Sequence, residues 1–258
     1  MNSKISKPTK EFHSLNRENA NAWDRLVSCS DSELRPVPDF NLVAPIYSLL
    51  ERCVYGNAMQ YSRAVYSNEL KSKSNILIMG EGPGKFVQHL STILNGANVH
   101  IVEKSARMRR QICKVIDQPH VTATKVNYYI YDDIKAVSAS EAGCFDAVVT
   151  HFYLDMFGGG QLFEQVKILS GNVTKDAVWL YSDFCIDSGL PISYQIRNRF
   201  LLWFMYQFFG IVSGLDCQKL EDPKYHQRLM GWEITDENKF NFDFIKARIL
   251  KRRYEPVD

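Results

Sequence analysis

Three glycines spaced two residues apart follow a short apolar run, and this combination can bind a polar or anionic ligand. The run extends from Ile76 to Met79, and the glycines are Gly80, Gly82 and Gly84. Glycine lets the backbone turn sharply and approach a ligand closely, because it has no Cβ atom. A helical pattern begins at Lys85, so free amide groups and the helix dipole favour a polar or negatively charged group at the turn.

An acidic residue follows the next apolar run, where it can bind the hydroxyls of a ribose. That run, Val99 to Val102, ends at Glu103, nineteen residues after Gly84. In nucleoside-binding folds, a carboxylate at the end of this strand accepts hydrogen bonds from the ribose. The glycine turn and Glu103 together predict a nucleoside cofactor.

The glycine spacing distinguishes between two such cofactors. Dinucleotide sites carry G-x-G-x-x-G, whereas the third glycine here comes one residue earlier. The resulting G-x-G-x-G resembles motif I of the class I S-adenosylmethionine-dependent methyltransferases, in which the turn wraps the methionine part of the cofactor. The resemblance implies S-adenosyl-L-methionine as the cofactor. An NAD(P)-dependent oxidoreductase and an ordinary strand-to-helix turn are the alternatives.

Composition favours one α/β domain with an accessory element. The chain has 258 residues, of which 45% are hydrophobic and 23% charged, enough for a full core. A net charge of +2 argues against a nucleic-acid partner, whose binding surface usually clusters Lys and Arg. Six scattered cysteines without C-x-x-C predict reduced thiols and a cytoplasmic protein. We expect no metal site.

No segment predicts stable insertion into a membrane. The longest apolar run, Phe200 to Val212, is too short to span a bilayer and is interrupted by Gln207. The first ten residues are polar and lack the apolar core of a signal peptide.

Strands and helices alternate through the middle of the chain, which predicts a parallel sheet with helical crossovers. The predicted strands are Ile76–Met79, Val99–Val102, Tyr128–Tyr131, Ala147–Thr150 and Ala177–Ser182, and the predicted helices are Lys85–Leu94, Ala106–Val115 and Leu162–Leu169. Two further strands, Trp232–Thr235 and Phe244–Ile249, follow an aromatic helical insertion. With the resemblance, this predicts a doubly wound, mostly parallel, seven-stranded α/β sheet of Rossmann-like type, preceded by N-terminal helices.

The predicted domain organisation has two parts. Residues 1–70 are expected to form an N-terminal helical cap, and residues 71–258 the cofactor-binding domain, with a lid insertion at about 187–230. Residues 41–47 resemble the A-P-x-Y entry helix of ubiquinone/menaquinone-type methyltransferases, which lies over the cofactor. The resemblance implies a cofactor contact for Tyr47 and places Arg63 near the methionine carboxylate. A core position for Tyr47 and a solvent-facing Arg63 are the alternatives.

Further cofactor contacts are expected at the carboxyl ends of the strands, where ligands bind in open parallel sheets. The resemblance implies that Asp132, or alternatively Asp133, accepts a hydrogen bond from the adenine amino group, although either residue could cap a helix. Relatives carry an acid at the position of Ile78. Here Glu81 inside the turn is the candidate for the cofactor's α-ammonium group, and Lys104 joins the cofactor-binding set.

The end of the fourth strand carries the candidates for catalysis. Thr150 is a candidate cofactor contact, and His151 is the expected general base, because histidine titrates near neutral pH and can take a proton from an acceptor hydroxyl. A histidine that only packs against the cofactor or bonds a loop is the alternative. Asp155 is expected either to orient His151 or to cap the next helix.

The acceptor pocket is expected to involve the aromatic segment. Residues 200–209 are apolar on nearly every side, so this helix should be buried or cover something. As a lid it suits an apolar or aromatic small molecule; a core helix or a homodimer contact is the alternative. The candidate acceptor-binding residues are Asp183, Trp203 and Tyr206, with His226 as a further polar contact. Asp183 is expected directly after the fifth strand, and closing a turn there is its alternative role.

Two expectations complete the sequence-based interpretation. Methyl transfer from a sulfonium is a direct displacement, for which alignment alone can contribute roughly 7–11 kcal/mol; a non-catalytic cofactor-binding partner protein is the other alternative. In the last strand, Lys246 and Arg248 alternate with apolar residues. A strand buried on both faces should be apolar throughout, so we expect one face to be partly open.

Overall fold

The computed structural model describes residues 56–137, 145–213 and 220–252, which form one sheet with helices on both faces. The strands are β1 Asn75–Met79, β2 Asn98–Val102, β3 Asn127–Tyr131, β4 Phe145–His151, β5 Val173–Phe184, β6 Trp232–Phe240 and β7 Ile245–Arg252. The helices are α1 Ala58–Ala64, α2 Lys85–Leu90, α3 Ala106–Ile116, α4 Pro119–Thr122, α5 Gly159–Gly171, α6 Ile192–Ser213 and α7 Lys224–Leu229. Tyr47 and the rest of the expected cap before residue 56 lie outside the described residues.

The seven strands are arranged in the order β3-β2-β1-β4-β5-β7-β6. Strands β1 to β5 pair in parallel, and β7 pairs antiparallel with both β5 and β6. This confirms the predicted doubly wound, mostly parallel sheet. The strand order reverses between β1 and β4, which creates the crevice in which open α/β sheets bind their ligands.

Each face of the sheet has its own hydrophobic core, because successive residues of a strand point to opposite sides. In β4, Val148 belongs to the core shared with Leu162 and Val166 of α5. Ala147 and Val149 belong to the core on the other face, which includes Phe86 and Leu90 of α2. The two faces, called here the α5 face and the α2 face, carry different polar residues at the carboxyl edge.

Some element ends differ from the prediction. Strand β5 remains paired with β7 through Phe184, so Asp183 lies inside the strand and not after it. Helix α2 ends at Leu90, and the chain continues to Leu94 as a tighter turn, in which the amide of Thr92 donates to the carbonyl of His89. The predicted helix Lys85–Leu94 is therefore four residues too long at its end.

The expectation of an open face at β7 was wrong. Lys246 and Arg248 are only 7% and 5% exposed. Both side chains bond to Asp222, at 2.5 Å from Lys246 Nζ and 2.7 Å from an Arg248 guanidinium nitrogen, and Arg248 also bonds to Glu237. Burial raises the pKa of Asp222, but the two cations more than offset it, and the pKa lies well below its usual value. Opposite charges, rather than solvent, therefore accommodate these cations in the strand.

Helix α6 is buried on one side only. Leu202, Met205 and Tyr206 pack against Phe184 of β5 and against Phe244, which directly precedes β7. The opposite side exposes large apolar side chains at helical spacing: Ile192, Ile196, Phe200, Trp203 and Phe204. Within the described residues, no helix has the length and apolar character needed to cross a membrane.

Candidate functional site

The three glycines of the turn after β1 differ in what surrounds them. All three have left-handed backbone angles, with φ of 66°, 70° and 93°. A Cβ atom on Gly80 would lie 2.9 Å from Tyr153 Cδ2, and one on Gly84 would lie 3.2 Å from Val115 Cγ2. At Gly82, no atom of the described residues lies within 4 Å of that position. Gly80 and Gly84 are therefore required for packing, whereas Gly82 opens onto the space in which a ligand could approach.

The carboxylate of Glu103 is fixed beside this opening. Its Oε2 atom accepts a hydrogen bond from the amide of Gly82 at 2.9 Å, and its Oε1 atom accepts one from the amide of Ser105 at 2.9 Å. The residue is 7% exposed. The acid at the end of β2 thus lies next to the glycine turn, and its contact with a ribose stays a prediction.

Glu81 caps the helix that follows the turn. Its Oε1 atom accepts hydrogen bonds from the amides of Phe86 at 2.8 Å and Val87 at 3.1 Å. Burial raises the pKa of Glu81 to about 7, although these bonds and the charge of Arg63 both lower it. Glu81 is thus a buried carboxyl that changes its charge near neutral pH, and binding of the cofactor's ammonium group stays a prediction.

Arg63 and His151 come together on the α2 face. Arg63 is 7% exposed, which rules out the solvent-facing alternative, and its guanidinium lies 5.0 Å from the ring centroid of Phe152. The ring of His151 meets the ring of Phe86 edge-on at 4.6 Å. Burial, with the charges of Arg63 and His89, holds the pKa of His151 well below its usual value. His151 is therefore a neutral imidazole at physiological pH.

A strained turn after β4 sets this arrangement. Phe152 has a left-handed φ of 55°, which costs an L-residue roughly 1–2 kcal/mol and is a feature concentrated at functional sites. Its amide donates to the carbonyl of Ser182 at 2.8 Å, and the Ser182 hydroxyl donates to the carbonyl of Ser62 at 2.8 Å. These bonds join α1 to the carboxyl ends of β4 and β5. Phe152 and Ser182 could not be identified from the sequence, because no pattern of side chains indicates a left-handed backbone at Phe152.

Two buried carboxyl groups lie on the α5 face. Asp183 Oδ2 accepts a hydrogen bond from the amide of Asp155 at 3.0 Å, and Asp183 Oδ1 accepts one from the amide of Phe184 at 2.9 Å. Burial raises the pKa of Asp155 to about 7, and burial with repulsion from Asp155 raises that of Asp183. Asp155 is therefore paired with Asp183 and not with His151, whose position in β4 puts it on the opposite face.

Several other predicted contacts already have structural partners. The hydroxyl of Thr150 accepts a hydrogen bond from the indole Nε1 of Trp179 at 2.8 Å inside the core. A carboxylate oxygen of Asp133 accepts a bond from the amide of Lys135 at 2.9 Å, so Asp133 caps the turn after β3. Asp132 and Asp133 are both exposed at this strand end. Because Asp133 acts as a cap, Asp132 is the better adenine candidate, and an adenine contact stays a prediction.

The remaining candidates are distributed between the site and the surface. The Tyr206 hydroxyl donates to the carbonyl of Asp155 at 3.2 Å, so Tyr206 reaches the α5 face of the site. Trp203 is 57% exposed on the outer side of α6. Lys104 is exposed, and the ring of His226 lies beside Phe163 on α5. Within the described residues, no group of three or more His, Cys, Asp or Glu side chains could hold a metal ion.

No protein-family model matches the chain, and no curated protein matches it in sequence. Solved structures do match. The mitomycin 7-O-methyltransferase MmcR has a TM-score of 0.58 and 10% identity, and the match covers 91% of this chain and 67% of that one. The S-adenosylmethionine-dependent methyltransferase SibL has a TM-score of 0.58 and 12% identity, with 93% of this chain and 71% of that one covered. The [4+2]-cyclase SpnF also matches, with a TM-score of 0.59 and 11% identity over 84% of this chain and 94% of that one. The shared fold therefore does not determine the reaction. Together with the strand order and the glycine turn, these similarities show that the chain has the fold of the class I S-adenosylmethionine-dependent methyltransferases.

Proposed function

We propose that this protein is an S-adenosylmethionine-dependent methyltransferase that acts on a small, apolar or aromatic acceptor. One observation carries the proposal: Gly82 has a left-handed backbone and open space where its Cβ would be, and it is hydrogen-bonded to the buried carboxylate of Glu103. A Cβ atom there would fill the space in which the cofactor is expected. The pair lies at the sheet edge where strand order reverses, the usual ligand site of such folds.

The cofactor contacts follow from the charges around this turn. Glu103 is assigned to the ribose hydroxyls and Asp132 to the adenine amino group. Glu81 and Arg63, which carry opposite charges and influence each other, are assigned to the ammonium and the carboxylate of the methionine part. S-adenosylmethionine, when bound, supplies a methyl group that its sulfonium charge has already activated. Contacts from Tyr47 and Lys104 stay predictions.

The chain's own residues then align the acceptor and exclude water. The buried side of α6, with Tyr206, covers the carboxyl end of β5 and the amino end of β7. Alignment is the main contribution an enzyme can make to a displacement on an activated methyl group. The general-base role of His151 stays a prediction; its neutral ring fits either proton acceptance or packing beside the cofactor.

Two observations count against the oxidoreductase alternative. The third glycine is one residue early for a dinucleotide turn. The strand order β3-β2-β1-β4-β5-β7-β6, with an antiparallel β7, also departs from the 3-2-1-4-5-6 order of the dinucleotide-binding fold.

The test has two stages. Calorimetry of the purified chain should show binding of S-adenosylmethionine and of S-adenosylhomocysteine, and no comparable binding of NAD. A radiolabelled methyl donor should then label at least one member of a panel of phenols, quinols, thiols and amines. Absence of binding by folded protein would refute the proposal. Binding without any labelling would favour the non-catalytic alternative.

The exposed apolar side of α6 extends the proposal to assembly. Its side chains at positions 192, 196, 200, 203 and 204 are each about half exposed or more, and contiguous apolar surface of this kind usually marks an interaction site. We assign it to a homodimer contact. The cytoplasmic location expected from the cysteines stays a prediction.

A further inference from the structure

The carboxyl pair Asp155–Asp183 has no role in the cofactor contacts assigned above. Asp155 lies after β4, Asp183 lies near the end of the neighbouring parallel strand β5, and the two residues are 6% and 1% exposed. The bond from the Asp155 amide to Asp183 Oδ2, at 3.0 Å, fixes their relative position. Burying two acids side by side is unfavourable unless a proton or a bound partner compensates, so the pair calls for a functional explanation.

One oxygen of this pair lacks a protein partner. Within the described residues, Asp155 Oδ1 is buried and accepts or donates no hydrogen bond. Buried polar atoms are nearly always hydrogen-bonded, and an exception needs a reason such as a ligand or a catalytic role. Tyr206, whose hydroxyl bonds the Asp155 carbonyl, connects this position to α6, the helix expected to cover the acceptor.

The contacts of Asp183 favour the ionised form of its carboxyl group. Both oxygens of Asp183 accept backbone amide bonds, and amide donors favour an ionised carboxylate. Lys246 of β7, which stands opposite Asp183 in the strand register, also favours the charged form. Burial and repulsion from the Asp155 charge nevertheless raise the pKa of Asp183, so Asp155 is the member of the pair that loses its proton first when the pH rises.

Two cations on this face are paired with a carboxylate other than Asp155 or Asp183. Lys246 and Arg248 bond to Asp222, and Arg248 lies over the ring of Tyr181 at 5.8 Å. The raised pKa of Tyr181 keeps its phenol neutral. Burial raises the pKa of Asp155 to about 7, the range in which a general base operates at physiological pH.

We propose that Asp155 is the proton acceptor for a hydroxyl group of the methyl acceptor, and that Asp183 is the positioning residue that holds it. The inference rests on the proposed function and deepens it, because it names the acceptor atom as a hydroxyl oxygen. The hydroxyl O–H bond breaks and its proton bonds to Asp155 Oδ1. The electron pair left on the oxygen forms the new bond to the methyl carbon, while the carbon–sulfur electron pair stays on the departing sulfur.

This assignment differs from the general-base hypothesis for His151. His151 is on the α2 face with Arg63 and Phe86, among the groups assigned to the methionine part of the cofactor. Asp155 is on the other face, next to the Tyr206 side chain of α6. Helix α6 also packs near Phe152 and Met59, so variants of both His151 and Asp155 are needed to decide between the two bases.

The first test measures the protonation of the two carboxyl groups directly and needs no methyl acceptor. Protein labelled with ¹³C at the aspartate carboxyl carbon is titrated by NMR, and the signal missing from Asp155→Asn is assigned to Asp155. We expect it to titrate near pH 7. The Asp183 signal, assigned by its absence in Asp183→Asn, should titrate at lower pH in Asp155→Asn, because that variant removes the repelling charge. An Asp155 signal that titrates at the ordinary aspartate value, about 3.9, would overturn the inference.

The second test uses turnover of the best hydroxyl acceptor in the panel. Asp155→Asn should lower turnover about 100-fold or more, the usual contribution of a general base, and leave S-adenosylhomocysteine affinity within about 2-fold. In the wild type, kcat/KM should rise with pH through about 7. Asp187→Asn, which removes an exposed carboxylate bonded to Lys239, is the matched control and should keep both values.

The outcomes separate this inference from the proposed function. A wild-type protein that binds no S-adenosylhomocysteine contradicts the proposed function, whatever the titration gives. A wild type that methylates only thiols or amines, or an Asp155→Asn variant with normal turnover of a hydroxyl acceptor, contradicts the inference alone. Loss of turnover in His151→Ala with normal turnover in Asp155→Asn would return the role to His151.

Discussion

The Oε2 atom of Glu103 lies 2.9 Å from the amide nitrogen of Gly82, which joins the end of β2 to the glycine turn after β1. Carboxylate oxygens can accept more than one hydrogen bond, so this contact fixes the carboxylate without preventing a ribose from binding. Because backbone amides, and not another side chain, hold the Glu103 carboxylate, its position is fixed before a ligand binds.

Replacing Glu103 by alanine should remove most cofactor affinity. Hydrogen bonds to a charged group contribute about 1.5–3 kcal/mol each, so we expect the Kd for S-adenosylhomocysteine to rise at least about 100-fold by calorimetry. Glu164→Ala, which removes a surface carboxylate paired with Lys167 at 3.6 Å, should leave the affinity unchanged. Normal affinity in Glu103→Ala would remove Glu103 from the site.

Gly82→Ala offers a second test of the same opening. The left-handed backbone makes alanine unfavourable by roughly 1–2 kcal/mol, and the new methyl group would occupy the ligand space. Gly96 is the matched control, because it has a φ of 84° and equally open surroundings away from the site. Both variants should lose similar stability in urea, but only Gly82→Ala should lose S-adenosylhomocysteine affinity. Equal affinity in the two variants would show that no ligand approaches Gly82.

The positions of the main elements could be predicted from the sequence, whereas the direction of individual side chains could not. The apolar runs before Gly80 and Glu103 define β1 and β2, since buried parallel strands are continuously apolar. The face on which a residue lies changes with every step along a strand, so Thr150 points into the core while His151 points to the α2 face. Whether Asp133 or Asp132 caps the turn after β3 depends on local backbone geometry.

Ion pairs between residues far apart in the chain also could not be predicted from the sequence. Lys246 and Arg248 indicated an open strand face, but Asp222, far from them in sequence, neutralises both. The same limit applies to Asp155, which the sequence placed near His151 and which the structure pairs with Asp183. Trp203 looked like a pocket residue because α6 is apolar almost throughout, and only the packing of its inner side leaves Trp203 outside.

Cofactor affinity should depend on pH through Glu81. Its pKa is raised to about 7 by burial, so the carboxyl is mostly neutral at pH 6 and mostly ionised at pH 8, and only the ionised form attracts an ammonium group. We expect S-adenosylhomocysteine to bind up to about 10-fold more tightly at the higher pH. Glu81→Gln keeps a carbonyl oxygen for the amides of Phe86 and Val87 and should bind with little pH dependence. A steep pH dependence that survives in this variant would assign the titration to another group.

Protein stability should respond to pH through Asp155. Because the folded state holds this proton up to about pH 7 while the unfolded state releases it near pH 4, the unfolded state binds fewer protons in between. The free energy of unfolding therefore falls as pH rises through this window. Asp155→Asn removes this pH dependence. The gain in the free energy of unfolding of the variant over the wild type, measured by urea denaturation, should therefore be about 2 kcal/mol larger at pH 8 than at pH 5. A gain that does not grow with pH would mean that Asp155 is ionised throughout.

The outer side of α6 should determine the oligomeric state. Phe200 and Trp203 are 60% and 57% exposed, and their ring centroids lie 6.0 Å apart. Aromatic side chains of this kind dominate the energy of protein interfaces, so Phe200→Glu combined with Trp203→Glu should convert a dimer into a monomer by light scattering. The inner residues of α6 remain in place, and we therefore expect the variant to keep its fold and its S-adenosylhomocysteine affinity. Tyr225→Glu, which alters an exposed aromatic residue on α7, is the control and should remain dimeric. A wild type that is monomeric at all concentrations would exclude the dimer and leave this surface to a different partner.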